Sequence, residues 1–156
     1  MSLQIGQTAP DFILYSSEKQ PVHLNDLKGE TILLLFFPLA FTSVCTKELC
    51  FVRDNLASYN NSKVKVVAIS VDSLQTLARF KQDQQLNFTL LSDFNKEVSA
   101  KYDTLYEQFG YNMKGVSKRS AFIIDKESII RYVEVLENAG EIPDFEKIQK
   151  TLSSLG

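Results

Sequence analysis

Short apolar runs recur along the chain and predict the strands of a buried sheet. Residues 31–37 read TILLLFF and residues 64–71 read VKVVAISV, and both runs are rich in β-branched or aromatic side chains. Runs of this length without polar alternation are typical of strands covered on both faces, as in a parallel sheet. Further strands are predicted over residues 88–91 and 120–125, and residues 129–135 follow closely enough to close a hairpin.

Between these runs the apolar positions take up helical spacing. A first helix is predicted by one apolar stripe at i, i+4, i+7 and i+11, formed by Cys45, Leu49, Val52 and Leu56. A second helix is predicted from Leu74 onward, because Asp72 and Ser73 supply good N-cap side chains directly before it.

Two later segments also follow the helical period. One is marked by Val98, Tyr102, Leu105 and Phe109, with Thr104 and Glu107 as a capping box that restarts the helix. The other is marked by Phe145, Ile148, Leu152 and Leu155, with Pro143 in its first turn. Strands that alternate with helices predict an α/β fold with a partly parallel sheet.

The size and charge of the chain narrow the class of protein. Its 156 residues, 44% of them hydrophobic, suffice for one core and are too few for two comfortable ones. No repeat or linker divides them, so we expect a single domain over residues 1–156. The net charge of −2 gives no electrostatic reason to expect nucleic acid or an anionic membrane as a partner.

Neither a secretory leader nor a membrane span is predicted. The first twelve residues, MSLQIGQTAPDF, contain no basic region followed by an apolar one. The longest apolar stretch, residues 32–41, is interrupted by Pro38 and has about half the length that a bilayer requires. We therefore expect a cytoplasmic protein, in which two cysteines serve packing or redox chemistry more often than a structural disulfide.

The passage from the first apolar run into the first helix carries the candidate chemistry. In open α/β sheets, sites form at the carboxyl ends of the strands. With Thr42 as N-cap, Cys45 becomes the third residue of the helix. There, free backbone N–H groups and the helix dipole favour a thiolate, the nucleophile that a peroxide requires. The position of Cys45 on the apolar stripe is equally consistent with a small buried core residue.

Cys50 lies five residues further along the same predicted helix. Five helical residues correspond to about 7.5 Å of rise and place the two Cα atoms roughly 8.7 Å apart. A disulfide usually requires Cα atoms within about 7 Å, so this pair can bridge only after the helix unwinds. Cys50 is therefore either an ordinary half-buried thiol or a resolving cysteine that acts on an unwound helix.

Three motifs occur in order along the chain. The central one, Pro-x-x-x-Thr-x-x-Cys, is formed by Pro38, Thr42 and Cys45. An earlier one, Gly-x-x-Ala-Pro-Asp-Phe, is formed by Gly6, Ala9, Pro10, Asp11 and Phe12. The last is Arg-x-x-Phe-Ile-Ile-Asp, which begins at Arg119. Together these motifs cover nearly the whole chain, and they resemble those of the peroxiredoxins, the AhpC/TSA-like thiol peroxidases.

The resemblance implies a thioredoxin-like α/β fold with a central mixed β-sheet, flanking helices and an N-terminal extension. It also implies that Cys45 is the peroxidatic residue, in a pocket completed by Pro38, Thr42 and Arg119. The permanent charge of Arg119 suits it to stabilise the thiolate and the breaking O–O bond. Thr42 offers a hydroxyl, and the fixed ring of Pro38 can wall the pocket. Glu48, one turn beyond Cys45, either orients the peroxide or the arginine or is a solvated helix side chain.

For Cys50 the resemblance points in two directions. Residues 45–54, read as Cys-Thr-x-Glu-x-Cys-x-x-Arg-Asp, resemble the Q-type branch, whose bacterioferritin comigratory protein-like members carry a resolving cysteine at this spacing. The preceding Pro-Leu-Ala-Phe-Thr resembles the E-type branch, which is often limited to one working cysteine. We favour a resolving role for Cys50, with recycling by thioredoxin or a similar dithiol. Arg53 and Asp54 match the Q-type pattern but are assigned no catalytic role.

The predicted function is thiol-dependent reduction of hydrogen peroxide and organic hydroperoxides, without metal, haem or flavin. His23, the only histidine, makes no convincing zinc site with two cysteines. The alternatives are a one-cysteine enzyme recycled by an external thiol and a non-enzymatic redox sensor or holdase. A disulfide oxidoreductase ordinarily needs Cys-x-x-Cys, and resemblance to glutathione peroxidases would call for a Trp, which the chain lacks. The resemblance permits a monomer or a homodimer.

Overall fold

In the described part of the chain, residues 3–61 and 63–155 of a computed structural model, seven strands form one mixed sheet in the order β2-β1-β5-β4-β3-β6-β7. The strands are β1 (Ile13–Ser16), β2 (Pro21–His23), β3 (Thr31–Phe36), β4 (Val64–Ser70), β5 (Thr89–Ser92), β6 (Ser120–Ile124) and β7 (Ile130–Val135). The α-helices are α1 (Ser43–Asn61), α2 (Leu74–Gln84), α3 (Glu97–Lys101) and α4 (Phe145–Leu155). Within these residues no helix combines the length and the apolar character needed to cross a membrane.

The predicted α/β architecture is confirmed, with the parallel strands in the middle of the sheet. β3 pairs in parallel with β4, and β4 pairs in parallel with β5. β6 is antiparallel to β3, and β7 closes the predicted hairpin with β6. All six residues of β3 are buried, as expected for a strand covered on both faces.

The residues of β3, together with Phe37 directly after it, contribute alternately to two hydrophobic layers. They do so because successive side chains of a strand point to opposite faces of the sheet. Leu33, Leu35 and Phe37 pack in the layer that contains the buried faces of α1, α2 and α4. Ile32, Leu34 and Phe36 pack in the opposite layer, together with Phe12, Val98 and Tyr102. The sheet is thus sandwiched between helices on one face and the N-terminal extension with α3 on the other.

Three of the four predicted helices are confirmed. The stripe of Cys45, Leu49 and Val52 lies buried on α1, whereas the side chain of Leu56 lies outside the described residues. α2 begins as expected, since the hydroxyl oxygen of Ser73 accepts a hydrogen bond from the backbone N–H of Thr76 at 3.1 Å.

The helix predicted as far as Phe109 is wrong. α3 ends at Lys101, and Asp103 adopts a left-handed φ of 54° that breaks the helical path. Thr104 does not restart a helix: its backbone N–H donates to the carbonyl of Ser99, and its own carbonyl accepts from the N–H of Lys118. The segment is held by this neighbouring backbone, which the helical spacing of its side chains does not reveal.

The start of α4 lies two residues later than predicted. The carboxylate of Asp144 accepts a hydrogen bond from the backbone N–H of Lys147 at 3.1 Å, and the helix is assigned from Phe145. Asp144 is therefore the N-cap, and Pro143 precedes the helix instead of occupying its first turn.

The N-terminal extension contains a hairpin that the apolar pattern did not predict. β1 and β2 are short, and the side chains of Ile13 and Tyr15 on β1 are exposed, so they lack a continuous apolar run. Before the hairpin, the chain runs beside β7: the N–H of Gly6 donates to the carbonyl of Ile130 at 2.8 Å, and the N–H of Ile130 donates to the carbonyl of Gln7 at 2.8 Å. The extension is thereby fastened to the far edge of the sheet.

The register of β3 against β6 determines what lies at the carboxyl end of β3. Phe36, the last residue of β3, is paired with Ser120, the first residue of β6. Arg119 immediately precedes Ser120, so the antiparallel pairing brings it to the loop that leads into α1. Two segments more than 70 residues apart therefore meet at one edge of the sheet.

Candidate active site

The loop of residues 37–42 joins β3 to α1. It contacts Asp72, in the connection from β4 to α2, and Phe80 of α2. The backbone N–H of Ala40 donates to the carboxylate of Asp72 at 2.8 Å. Phe41 adopts a left-handed φ of 68°, which a bulky residue rarely takes without compensation from its surroundings. Its ring packs on Phe80 of α2 with a centroid separation of 5.1 Å. These contacts hold the approach to α1 in one conformation.

Thr42 occupies the N-cap position of α1, as predicted. Its carbonyl accepts a hydrogen bond from the backbone N–H of Thr46 at 2.9 Å, and Cys45 is consequently the third residue of the helix. The hydroxyl of Thr42 is exposed and donates to the carbonyl of Leu39 at 2.7 Å, so its one proton is not offered to the sulfur. Pro38 is buried at the base of the same loop.

Arg119 lies against the sulfur of Cys45. Nη1 of Arg119 donates to Sγ of Cys45 at 3.2 Å and to Oε1 of Glu48 at 2.8 Å. Nη2 of the same guanidinium donates to the carbonyl of Ala139 at 3.0 Å. The exposed fractions of Cys45, Glu48 and Arg119 are 1%, 0% and 1%, so the three groups meet out of contact with bulk solvent.

The cluster contains one basic group, Arg119, and two acidic groups, Cys45 and Glu48. Burial raises the pKa of Glu48 to about 7, although the adjacent Arg119 guanidinium acts in the opposite direction. The pKa of Arg119 is raised because the nearby Glu48 and Cys45 favour its charged form more than burial opposes it. In the described part of the chain, Oε2 of Glu48 and Nε of Arg119 are buried without a hydrogen-bond partner. The cluster therefore has unused capacity to donate and accept hydrogen bonds.

Cys50 is half-buried on the same helix and faces α2. Its Sγ lies 3.5 Å from Oε1 of Gln84, the last residue of α2. Both cysteines are free thiols on an intact α1. The geometry therefore keeps them apart, as the helical spacing predicts.

The family model described as the AhpC/TSA family matches residues 5–133 of the chain. The chain belongs to the AhpC/TSA family. It is a peroxiredoxin, an oxidoreductase of the thiol peroxidase type.

Several relatives of this peroxiredoxin are similar to it over most of their length. A Coxiella burnetii protein whose name assigns it to the bcp peroxiredoxins is 40% identical over 135 residues, which are 85% of this chain and 89% of the relative. Alkyl hydroperoxide reductase E of Mycobacterium tuberculosis is 38% identical over 145 residues, with 91% of each chain covered. The crystal structure of Peroxidoxin BcpB from Mycobacterium tuberculosis superposes with a TM-score of 0.87 at 27% identity, covering 99% of both chains. These likenesses confirm the thioredoxin-like peroxiredoxin fold.

Hydrogen bonds join three of the six residues singled out in the sequence, Cys45, Glu48 and Arg119. Pro38 and Thr42 lie in the loop that leads into α1, whereas Cys50 faces the adjacent helix. His23 lies elsewhere, with its Nε2 2.6 Å from the carboxylate of Asp11, and takes no part in this cluster.

Two positioning contacts of the peroxiredoxin site were not predicted from the sequence. The sequence pattern indicates only a helix-cap role for Asp72, yet its carboxylate also accepts a hydrogen bond from Ala40 in the loop of residues 37–42. The carbonyl of Ala139 accepts a hydrogen bond from Nη2 of Arg119, which fixes the orientation of the guanidinium plane. The position of Asp72 at the carboxyl end of β4, next to β3, was a usable signal for the first contact. A backbone carbonyl in a loop leaves no signal in the side-chain pattern.

Proposed function

We propose that this peroxiredoxin reduces hydrogen peroxide and small organic hydroperoxides with Cys45 as the attacking nucleophile. The observation that carries the proposal is the contact between Nη1 of Arg119 and the buried sulfur of Cys45, at 3.2 Å, in the first turn of α1. A fixed cation and the free N–H groups of a helix start both stabilise negative charge on the sulfur. The whole reaction is assigned to one domain spanning residues 1–156.

In the first step, the thiolate of Cys45 attacks one oxygen of the peroxide. The S–O bond forms as the O–O bond breaks, the sulfur becomes a sulfenic acid, and the other oxygen leaves as water or an alcohol once protonated. Arg119 stabilises the charge that spreads over the two oxygens. Pro38 walls the pocket, and the exposed hydroxyl of Thr42 can turn from the Leu39 carbonyl to the incoming peroxide.

In the second step, the thiol of Cys50 condenses with the sulfenic acid of Cys45. A disulfide forms and the sulfenic oxygen leaves as water, after which thioredoxin or a similar dithiol returns both cysteines to thiols by exchange. This cycle requires a reducing compartment such as the cytoplasm. It does not depend on whether the protein acts as a monomer or as a homodimer, because both cysteines belong to one chain.

A one-cysteine cycle is the second candidate, and one observation favours it. The thiol of Cys50 faces Gln84 of α2 at 3.5 Å instead of facing Cys45, and α1 is intact between the two cysteines. In that cycle an external thiol attacks the sulfenic acid directly, and Cys50 only packs against α2. A redox sensor or holdase would form the sulfenic acid without multiple turnover.

Replacement of Cys45 by serine tests the proposed nucleophile. A hydroxyl is nearly isosteric with a thiol but does not ionise near neutral pH, so Cys45→Ser should retain the fold and lose peroxide reduction. Peroxide consumption is measured with thioredoxin and its reductase, and far-UV circular dichroism checks the fold. Cys50→Ser is the matched control, since it should still consume one equivalent of peroxide. Turnover by Cys45→Ser above a small percentage of the parent rate would refute the assignment.

A further inference from the structure

One nitrogen of Arg119, Nη1, donates hydrogen bonds to two acidic groups at once. Nη1 contacts both Sγ of Cys45 and Oε1 of Glu48, while Nη2 is engaged by the carbonyl of Ala139. Glu48 and Cys45 lie one helical turn apart on α1, so they face Arg119 from the same side. A single cation is therefore shared between two potential anions in a site that solvent does not reach.

A site with one cation and two anions would carry an uncompensated buried charge. Such a charge is expensive in a low-dielectric interior, and the usual result is that one group keeps its proton. The nucleophile must be a thiolate for the reaction to begin. The retained proton then belongs on Glu48, in agreement with the burial that raises the pKa of this carboxyl to about 7.

The two oxygens of Glu48 have different surroundings. Oε1 accepts the hydrogen bond from Arg119 and is poorly suited to carry a proton. Oε2 is buried and has no partner among the described residues. A proton on Oε2 has no protein acceptor, and an oxygen bound beside Cys45 and Arg119 would provide one.

We propose that Glu48 is the general acid of peroxide reduction and gives its Oε2 proton to the leaving oxygen. The proposal rests on the function proposed above for Cys45. The electrons of the thiolate form the S–O bond, the O–O bond breaks, and the departing hydroxide takes the proton from Glu48 and leaves as water. The products are the sulfenic acid of Cys45, water and the carboxylate of Glu48.

This assignment keeps the charge of the buried cluster constant through the step. Before the reaction, the thiolate of Cys45 balances Arg119 and Glu48 is neutral. Afterwards the sulfenic acid is neutral and the carboxylate of Glu48 balances the same Nη1. The negative charge moves from one acceptor of Nη1 to the other without a change in the net charge of the buried site.

Two charged groups act on the pKa of Glu48 in the described structure. Arg119, directly before β6, lowers it, and Glu134 of β7 raises it by like-charge repulsion. Cys45, on the same helix as Glu48, shares the Nη1 donor of Arg119 with it. The carboxylate of Glu134 is itself held by the hydroxyl of Tyr132 and by the backbone N–H of Asp144. A general acid must be protonated, so the rate of sulfur oxidation should fall as the pH rises through about 7.

The decisive experiment compares two oxidants whose leaving groups differ in their need for a proton. Hydrogen peroxide expels hydroxide, whereas peracetic acid expels acetate, which is stable as an anion. At pH 6, Glu48→Gln should oxidise Cys45 about a hundredfold or more slowly than the parent with hydrogen peroxide. With peracetic acid the two proteins should agree within a few-fold. Rapid quenching with a thiol-blocking reagent and mass spectrometry measures both rates.

The outcomes separate this proposal from a purely structural role and from the proposed function. An equal loss with both oxidants would mean that Glu48 only orients Arg119, and no loss with either would mean that it does nothing; both overturn the proposal. If the parent itself fails to oxidise at Cys45, the proposed function fails instead.

A second variant keeps the test decisive if Glu48→Gln does not fold. Glu134→Gln removes the like charge that raises the pKa of Glu48, so the descending limb of the rate with hydrogen peroxide should move to lower pH. Glu146→Gln, an exposed carboxylate of α4, should leave the limb in place. A parent rate with hydrogen peroxide that does not fall between pH 6 and pH 8 would contradict the general-acid role.

Discussion

At the scale of single residues, the guanidinium of Arg119 is the most constrained group of the site. It is 1% exposed, its Nη1 is divided between Cys45 and Glu48, and its Nη2 is fixed by the carbonyl of Ala139. A lysine would supply one charged nitrogen without this planar arrangement. In the proposed reaction, this fixed geometry would need no reorganisation when charge develops on the peroxide.

Arg119→Met should slow the oxidation of Cys45 by roughly two to three orders of magnitude, the range found when one stabilising donor is removed. The variant should still fold, because Glu48 can remain neutral once the cation is gone. Arg131→Met is the matched control, since Arg131 lies on the exposed part of β7 and pairs with Asp125. Single-turnover oxidation with hydrogen peroxide measures both. A rate for Arg119→Met within a factor of a few of the parent would leave Arg119 with only a structural role.

The motif spacing predicts Pro38, Thr42, Cys45 and Arg119 as residues of the site. The helical period correctly places Cys45 in the first turn of α1. Full burial of Glu48 was not predictable, because a carboxylate one turn into a helix is ordinarily solvated. Its burial depends on the packing of α1 against the start of β6, which the local pattern does not contain.

At the scale of elements, α1 has two incompatible tasks in the proposed cycle. Its first turn must be helical to hold Cys45 against Arg119, yet the disulfide with Cys50 requires the same turns to open. The helix must therefore alternate between two conformations with each turnover.

Oxidation with one equivalent of peroxide should consequently change α1 and little else. Amides from about Thr42 onward through the early turns should exchange faster in the oxidised protein, and helical ellipticity should fall. Cys50→Ser should remain helical, stall as the sulfenic acid and become prone to irreversible oxidation. Hydrogen exchange and intact-protein mass spectrometry report these changes. Full protection of the oxidised helix, or unchanged recycling of Cys50→Ser by thioredoxin, would favour the one-cysteine cycle.

Most of the elements that the pattern predicted have a long apolar signal, although the shorter β5 and the partly polar β7 were predicted as well. α1, α2 and α4 keep the helical period over several turns, and β3, β4 and β6 are nearly continuous apolar runs. The wrong or missing predictions have local structural causes that the spacing of apolar residues does not reveal. Asp103 turns left-handed after α3, and β1 exposes Ile13 and Tyr15 on one face.

At the scale of the whole molecule, the buried carboxyl of Glu48 links stability to pH. Burial raises its pKa from the ordinary value of 4.5 to about 7 in the folded protein. The folded state therefore binds a proton that the unfolded state has released between these values. The stability contributed by this group is fully present below pH 4.5 and is lost as the pH rises through about 7.

The free energy of unfolding of the parent, relative to Glu48→Gln, should therefore fall between pH 5 and pH 8. The loss should be at most about 3 kcal/mol, from the shift between the two pKa values. Urea unfolding of both reduced proteins at four pH values measures it. Glu146→Gln serves as a control, since its carboxylate is exposed and its difference from the parent should stay constant. If the free energies of unfolding of the parent and Glu48→Gln also differed by a constant amount across this pH range, Glu48 would have the same pKa in the folded and unfolded states.

The fold class followed from the alternation of strands and helices, and the resemblance supplied the thioredoxin-like arrangement. The register of the sheet could not be predicted. The pairing of Phe36 with Ser120 depends on two segments that are distant in the chain, and no local spacing specifies it. The same register brings Arg119 to Cys45, so the least predictable feature of the fold creates the site.

Arg53, in the second half of α1, is hydrogen-bonded to the end of α2 and to the residues that follow it. Nη1 of Arg53 donates to the carbonyl of Gln84 at 2.5 Å, and the side chain of Asn87 donates to the carbonyl of Arg53 at 3.3 Å. Neither contact involves the turns between Cys45 and Cys50, so both can persist when those turns open. In the proposed cycle, we expect these contacts of Arg53 to confine the opening of α1 to the turns that precede it. The remaining framework of the protein can stay the same in every redox state.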